Sequence, residues 1–313
     1  MINRHLPNVW NRRLLVFAAW IFGGLVGSLW GPALGVVAQA PDAPVENQPA
    51  GEESAKSAAT PTPEFRIVSQ TFVADQKQPV TRNLTLFSDG RVYDFQYRDQ
   101  DESPSEIVIL DTRLRRLILL DPARNVRLEL ADLQLLRILD IVRRSAEEDE
   151  RTRFLVDTQY EEDVDPDRRQ VTLKSEQIRY QFTGQMPEND NVLTAYFEFL
   201  DNFTRLQASD PSKLPPFPRI RLNQSIRRVG WIPQRVDMRV GPNAIFREPF
   251  EAHTEHQLEE RLTPEDRQRM VTARQHWAQF KAVNLATYRA LGTGSRTADR
   301  SNRDDAAAGS PKR

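Results

Sequence analysis

The chain has 313 residues, 43 basic and 44 acidic side chains for a formal net charge of −1, and no cysteine. These values exclude disulfides, thiolate metal sites, a cysteine nucleophile and a lipid-modified N-terminal cysteine. They also leave no overall field to draw the protein to nucleic acid, and none is expected as a partner.

Arg4, Arg12 and Arg13 precede an uncharged run over residues 14–40 that closes in small residues, the layout of a secretory signal. Cleavage after Ala40 would leave Pro41 first, a rigid residue poorly suited to an extended protease substrate. Val36-Val37-Ala38 has the same small-residue spacing and leaves Gln39 first, so 1–38 is read as the signal peptide. The alternative is an uncleaved N-terminal anchor, because the run exceeds the roughly 20 apolar residues that a bilayer span needs. Either way the protein is expected to be exported, in the periplasm or cell envelope, with a membrane tether in the second case. Residues 39–64 carry five prolines and almost no bulky apolar side chain. They cannot bury enough surface to offset chain entropy and are read as a disordered linker. The tail 292–313 has similar composition, which leaves 65–291 as a single domain with room for a core.

The first half of that domain reads as antiparallel β. A strand is expected over 66–74, then 83–87 leading into the turn Ser88-Asp89-Gly90. Beyond it Tyr93, Phe95 and Tyr97 alternate with Val92, Asp94 and Gln96, the period of a strand with one apolar face. Strands at 106–110, 114–120 and 126–130 follow at spacings too short for parallel crossovers, so this is a meander. A helix capped by Asp132 places Leu135, Leu136, Leu139 and Val142 at helical spacing. Further strands are expected at 154–158, 170–174 and 177–183, with an acidic loop at 161–167 whose oxygens lack calcium-binding spacing.

A second helix begins at Asn189 or Asp190 and runs to about Ala208. The prolines of 211–218 predict an extended connection, followed by strands at 219–222 and 235–240. Thr263-Pro264-Glu265-Asp266 is a strong helix start, with Met270, Ala273, Trp277 and Phe280 facing a core on the way to Leu291.

Two sets of residues are candidates for a site. Tyr196, Phe197, Phe199 and Phe203 make the second helix more widely apolar than a one-sided helix needs. That surface could be plain core, or one wall of an apolar ligand pocket. His253, His256 and Glu260 would fall on one side of a helix and could ligate zinc. The bland alternative is a solvated charged face. No G-x-S-x-G elbow and no phosphate-cradling glycine loop is present, and no cofactor is expected.

The Ser88-Asp89-Gly90 hairpin with Tyr93 and Phe95, the meander through Leu130, and Pro233-Gln234-Arg235-Val236 entering a late strand together resemble the periplasmic lipoprotein-carrier proteins. The resemblance spans about 65–240. It implies a half-barrel in which an exported antiparallel sheet curls around helices over an apolar cavity, and it implies no site residue.

The expected fold is therefore α+β, a curved antiparallel meander packed against two or three helices. The leading function is non-catalytic binding of an apolar ligand, a lipid or a lipidated partner, in the cell envelope. A structural or interaction protein of the envelope is the second reading, and a metal-dependent hydrolase using His253 and His256 the third.

Overall fold

A computed structural model describes residues 63–98, 101–210, 213–242, 245 and 248–290. The expected signal or anchor, nearly all of the linker and the C-terminal tail lie outside these residues. Within them, twelve strands form one sheet. The meander supplies β1 (Phe65–Val73), β2 (Thr81–Ser88), β3 (Arg91–Arg98), β4 (Glu106–Asp111), β5 (Arg116–Asp121) and β6 (Val126–Ala131). The second half supplies β7 (Glu161–Asp165), β8 (Gln170–Lys174), β9 (Ile178–Gln185), β10 (Ile232–Val240), β11 (Phe250–Glu259) and the two-residue β12 (Lys281–Ala282). The spatial order is β12-β6-β5-β4-β3-β2-β1-β11-β10-β9-β8-β7. Every pairing is antiparallel except β12 with β6. The edge strands do not meet, so the sheet is open, and β1 lies between β2 and β11 near its middle.

Among the described residues the helices are α1 (Asp132–Glu148), α2 (Arg153–Val156), α3 (Asp190–Gln207), α4 (Phe217–Val229) and α5 (Pro264–Gln279), and residues 285–290 are helical as well. Strand alternation sends successive side chains to opposite faces, and both faces are covered. Phe65, Ile67, Val92, Val108, Phe182 and Val236 share one core with α3 and α4. Leu84, Leu86, Tyr93, Phe95, Ile109 and Ile118 share the other with Met270 and Ala273 of α5. The Tyr93–Phe95 face is thus buried as expected, but under α5. Its opposite face, Val92-Asp94-Gln96, points to α3. Three layers result, with helices covering both faces of the sheet.

Four local expectations are corrected. Residues 219–222 belong to α4, because Pro218 occupies the first turn, where no amide donor is needed. Gly230, at φ +71°, closes that helix in the left-handed conformation. Residues 153–156 form the short α2 instead of a strand. The acidic loop is mostly the edge strand β7, in register with β8 from Glu161–Lys174 to Asp165–Gln170. Its charged side chains suit an exposed edge. Finally, α5 stops at Gln279. Buried Phe280 turns extended, and Lys281 and Val283 donate amides to the carbonyls of Asn125 and Arg127. In α1 Leu135 is fully buried as expected, whereas Leu136 is exposed.

Gly184 of β9 lies opposite Pro233, beside a register shift in β10. A Cβ there would stand 2.6 Å from Trp231 Cβ and 3.3 Å from the Ile232 carbonyl. Because Trp231 Cβ is fixed to the backbone, Gly184→Ala is expected to cost about 1–3 kcal/mol by overpacking. The loss should appear in urea denaturation, with a shift in tryptophan emission as the Phe182–Trp231 edge contact opens. Unchanged stability would mean that β10 can recede without cost.

Candidate functional site

The α3 helix is set by its own sequence. The Asn189 side chain accepts the Asn191 amide at 2.8 Å, and Asp190 stands at the positive helix end. The buried stripe includes Val192, Tyr196, Phe199 and Leu206. Phe199 meets Phe87 edge-on at 5.7 Å between centroids and Phe203 at 5.2 Å. Phe87 is itself stacked on Phe65. On the outer side α4 is tied to α3, with Asn223 Nδ2 donating to Thr204 Oγ1 at 2.9 Å and Arg227 pairing with Asp201.

Between α3 and the central strands lies a pocket of about 60 Å³. Tyr196, Phe199 and Phe203 line it from the helix side. Phe197 does not. It is buried beside the end of α4, where the Arg227 guanidinium lies 5.0 Å from its ring centroid. Three of the four aromatic candidates are therefore brought together.

The opposite wall is polar. Adjacent strands place Glu106, Gln96, Asn83, Ser69 and His256 directly opposite one another, a row of side chains crossing five strands, of which Asn83, Ser69 and His256 line the pocket. Ser69 Oγ lies 2.8 Å from His256 Nδ1. Beside this row Thr71 and Thr254 share a hydrogen bond of 3.1 Å between hydroxyls. Asp94 accepts from Thr85 Oγ1 at 2.7 Å and from Asn83 Nδ2 at 3.0 Å. At the far end Glu106 accepts from the buried Tyr288 hydroxyl at 3.0 Å, with Arg289 close by. Arg219, in the first turn of α4, completes the pocket beside His256.

Electrostatics follow burial. Removal from water lifts the Asp94 carboxyl to about 6 against the hydrogen bonds from Thr85 and Asn83. Burial and, after it, the Arg219 charge depress the His256 imidazole to about 3, so it is neutral. Burial raises the Tyr196 phenol to about 12 and lowers Arg219 from its ordinary range. The pocket thus has an aromatic wall on the helix and a hydrogen-bonding wall on the sheet, with a guanidinium and a neutral imidazole at one end.

The proposed metal set comes apart because its helical premise fails. His253 and His256 lie on β11, three residues apart, and a strand sends such residues to opposite faces. His256 enters the pocket, while His253 stacks on Phe72 at 4.9 Å on the other face. Glu260 lies beyond the strand and accepts the Glu188 amide at 3.0 Å. Among the described residues no group of three or more His, Asp or Glu side chains could hold a metal ion.

Asp94, Arg219, Thr71 and Thr254 were not legible as site residues. For the three strand residues the signal was a polar side chain in the phase of an apolar alternation, whereas Arg219, on a helix, gave none. Ser69 and Thr71 interrupt Phe65, Ile67 and Val73, and Thr254 and His256 interrupt Phe250, Ala252 and Leu258.

No family model matches the chain, and no curated protein matches it. Among solved structures it is similar to a LolA superfamily protein from Nitrosomonas europaea, at 9% identity and a TM-score of 0.27, over 66% of this chain and 90% of that one. A DnaN sliding clamp from Bartonella birtlesii bound to griselimycin aligns at 10% identity and a TM-score of 0.10, over 66% of this chain and 59% of that one. The first is a weak architectural resemblance. At these scores neither similarity bears on function, which rests on the pocket's own geometry. No helix among the described residues is long and apolar enough to cross a membrane.

Proposed function

We propose that this chain is an exported cell-envelope protein that binds an apolar or amphiphilic ligand, a lipid or a lipidated partner, without catalysis. The observation that carries the reading is the pocket beneath Tyr196, Phe199 and Phe203, formed where an aromatic helix lies over the polar centre of a sheet. A sheet and helix serving only as core would be apolar on both sides of that contact. Export is inferred from residues 1–38 alone.

The pocket's 60 Å³ is far below the roughly 300–1,000 Å³ of typical ligand cavities. An acyl chain therefore requires α3 to move away from the sheet. The short connection before Asn189 is a place where that motion would be absorbed.

The test is mass spectrometry of protein purified from its native envelope without detergent, together with titration of a fluorescent fatty acid. Bound lipid and saturable probe binding are expected. Phe203→Ala, at a half-buried position, should weaken the probe about tenfold by removing one wall of the pocket. Protein that carries no lipid and fails to bind the probe would overturn the proposal.

A further inference from the structure

The pocket's two walls differ in chemistry, and an occupant must satisfy both. A purely apolar occupant would leave the buried His256 Nε2 without a hydrogen-bond partner, which costs free energy, whereas a polar group could supply one. The occupant therefore carries a polar end toward the sheet.

The charge of that end follows from the pocket's own polarity. At the β3 side stands Asp94, whose two oxygens already accept from Thr85 and Asn83. At the β11 side stand Arg219 and His256. His256 Nδ1 is engaged by the Ser69 hydroxyl, and its buried Nε2 has no hydrogen-bond partner. With Ser69 Oγ donating to Nδ1, the ring proton sits on Nε2, the buried atom of this pocket residue that lacks a partner. The serine hydroxyl turns freely, so an acceptor placed there selects this tautomer. A guanidinium and an imidazole N–H converging on one end suit an oxyanion, which would form charge-assisted hydrogen bonds with Arg219.

We propose, building on the amphiphile-binding reading above, that this pocket is the head-group subsite for an amphiphile ending in an oxyanion, a carboxylate or phosphate monoester. Arg219 and His256 hold the head, and the tail leaves along Phe199 and Phe203. The small volume fits this division. It accommodates a head group of a few heavy atoms, while the chain displaces α3.

The experiment titrates the full chain by calorimetry with dodecyl phosphate, dodecanol and dodecyltrimethylammonium, each below its micelle concentration. A fourth arm uses inorganic phosphate alone. Dodecyl phosphate is expected to bind at least about tenfold more tightly than dodecanol, the effect of one charge-assisted hydrogen bond. Inorganic phosphate at the same concentrations should neither bind nor compete. Arg219→Gln should lower dodecyl phosphate affinity to that of dodecanol, and His256→Gln should reduce it several-fold. The wild-type series decides the matter even if the Arg219 variant does not fold.

Equal affinity for the three amphiphiles would overturn the oxyanion subsite and leave the binding function standing. Preference for the cation would overturn it in favour of Asp94. Competition by inorganic phosphate would make the site one for small anions, which also overturns the proposal. Failure of every amphiphile to bind would remove the binding function itself.

Discussion

Replacing Asp266 by alanine is expected to destabilise the protein by about 3 kcal/mol, the scale of breaking a buried ion pair. This carboxylate is fully buried and joins two layers. Within α5 it closes a capping box. Asp266 Oδ2 accepts the Thr263 amide at 2.9 Å, and the Asp266 amide donates to Thr263 Oγ1 at 3.1 Å. Across the interface Arg66 of β1 donates to it at 3.1 Å while also gripping Glu259 of β11 through two 2.9 Å hydrogen bonds. The alanine variant loses the cap and the tie together.

Asp266→Asn keeps an acceptor for the Thr263 amide and should lose about half as much, since only the charge facing Arg66 disappears. Burial pushes the Asp266 carboxyl up, but the hydrogen bonds from Thr263 and the nearby Arg66 outweigh it and hold it below the usual carboxylate range. Its contribution is therefore present above the unfolded value near ~3.9 and is lost as pH falls through the lower folded value. Urea denaturation gives the magnitude. Binding of a hydrophobic dye should rise as the α5 side of Tyr93 and Phe95 is uncovered. An alanine variant as stable as wild type would show that packing of Met270 and Ala273 alone holds α5.

Asp94 is expected to behave in the opposite sense. Its folded value of about 6 lies above the unfolded ~3.9, so the native state holds the proton more tightly than the unfolded chain does. The associated stability is fully present below pH ~3.9 and is lost as pH rises toward 6 and beyond. Over that window the loss amounts to about 3 kcal/mol, from about 1.4 kcal/mol per tenfold change in proton affinity.

Asp94→Asn removes this dependence. Its amide oxygen can accept from Asn83, and the Thr85 hydroxyl can turn to accept from its amide nitrogen. The difference in unfolding free energy, variant minus wild type, should therefore increase by about 2 kcal/mol between pH ~4 and pH ~7. Taking the difference between the two proteins removes the background of surface carboxylates. Parallel stability curves over that range would mean that Asp94 is solvated in the native state.

These two aspartates mark how far the sequence could be read. Asp266 was legible, because a capping hydroxyl, a proline and acids in the first turn are local signals whose geometry lies within four residues. The meander was legible for the same reason, since alternation and turn residues act on neighbours. Asp94 was not, because its burial depends on β2 on one side of it, β4 on the other and α3 above. His256 was misread through the same gap. Three-residue spacing groups two histidines on a helix and separates them on a strand, and β11 is a strand because β1 and β10 lie on either side of it. The α4 segment was misread where its prolines signal a break. In a first helical turn they stabilise the start.

By itself, the sequence determined the class of the protein: an α+β domain without disulfides, built on an antiparallel meander, behind an N-terminal segment that reads as an export signal. It also marked α3 as unusually aromatic. Tertiary structure decided which face of the meander meets which helix and how five polar side chains from five strands fall into one row. It decided too that Arg219 joins His256 beneath the aromatic helix. The physical reason is range. Capping, turn preference and periodicity are set by residues a few positions apart, whereas a pocket wall is set by strand register between segments as distant as Ser69 and His256.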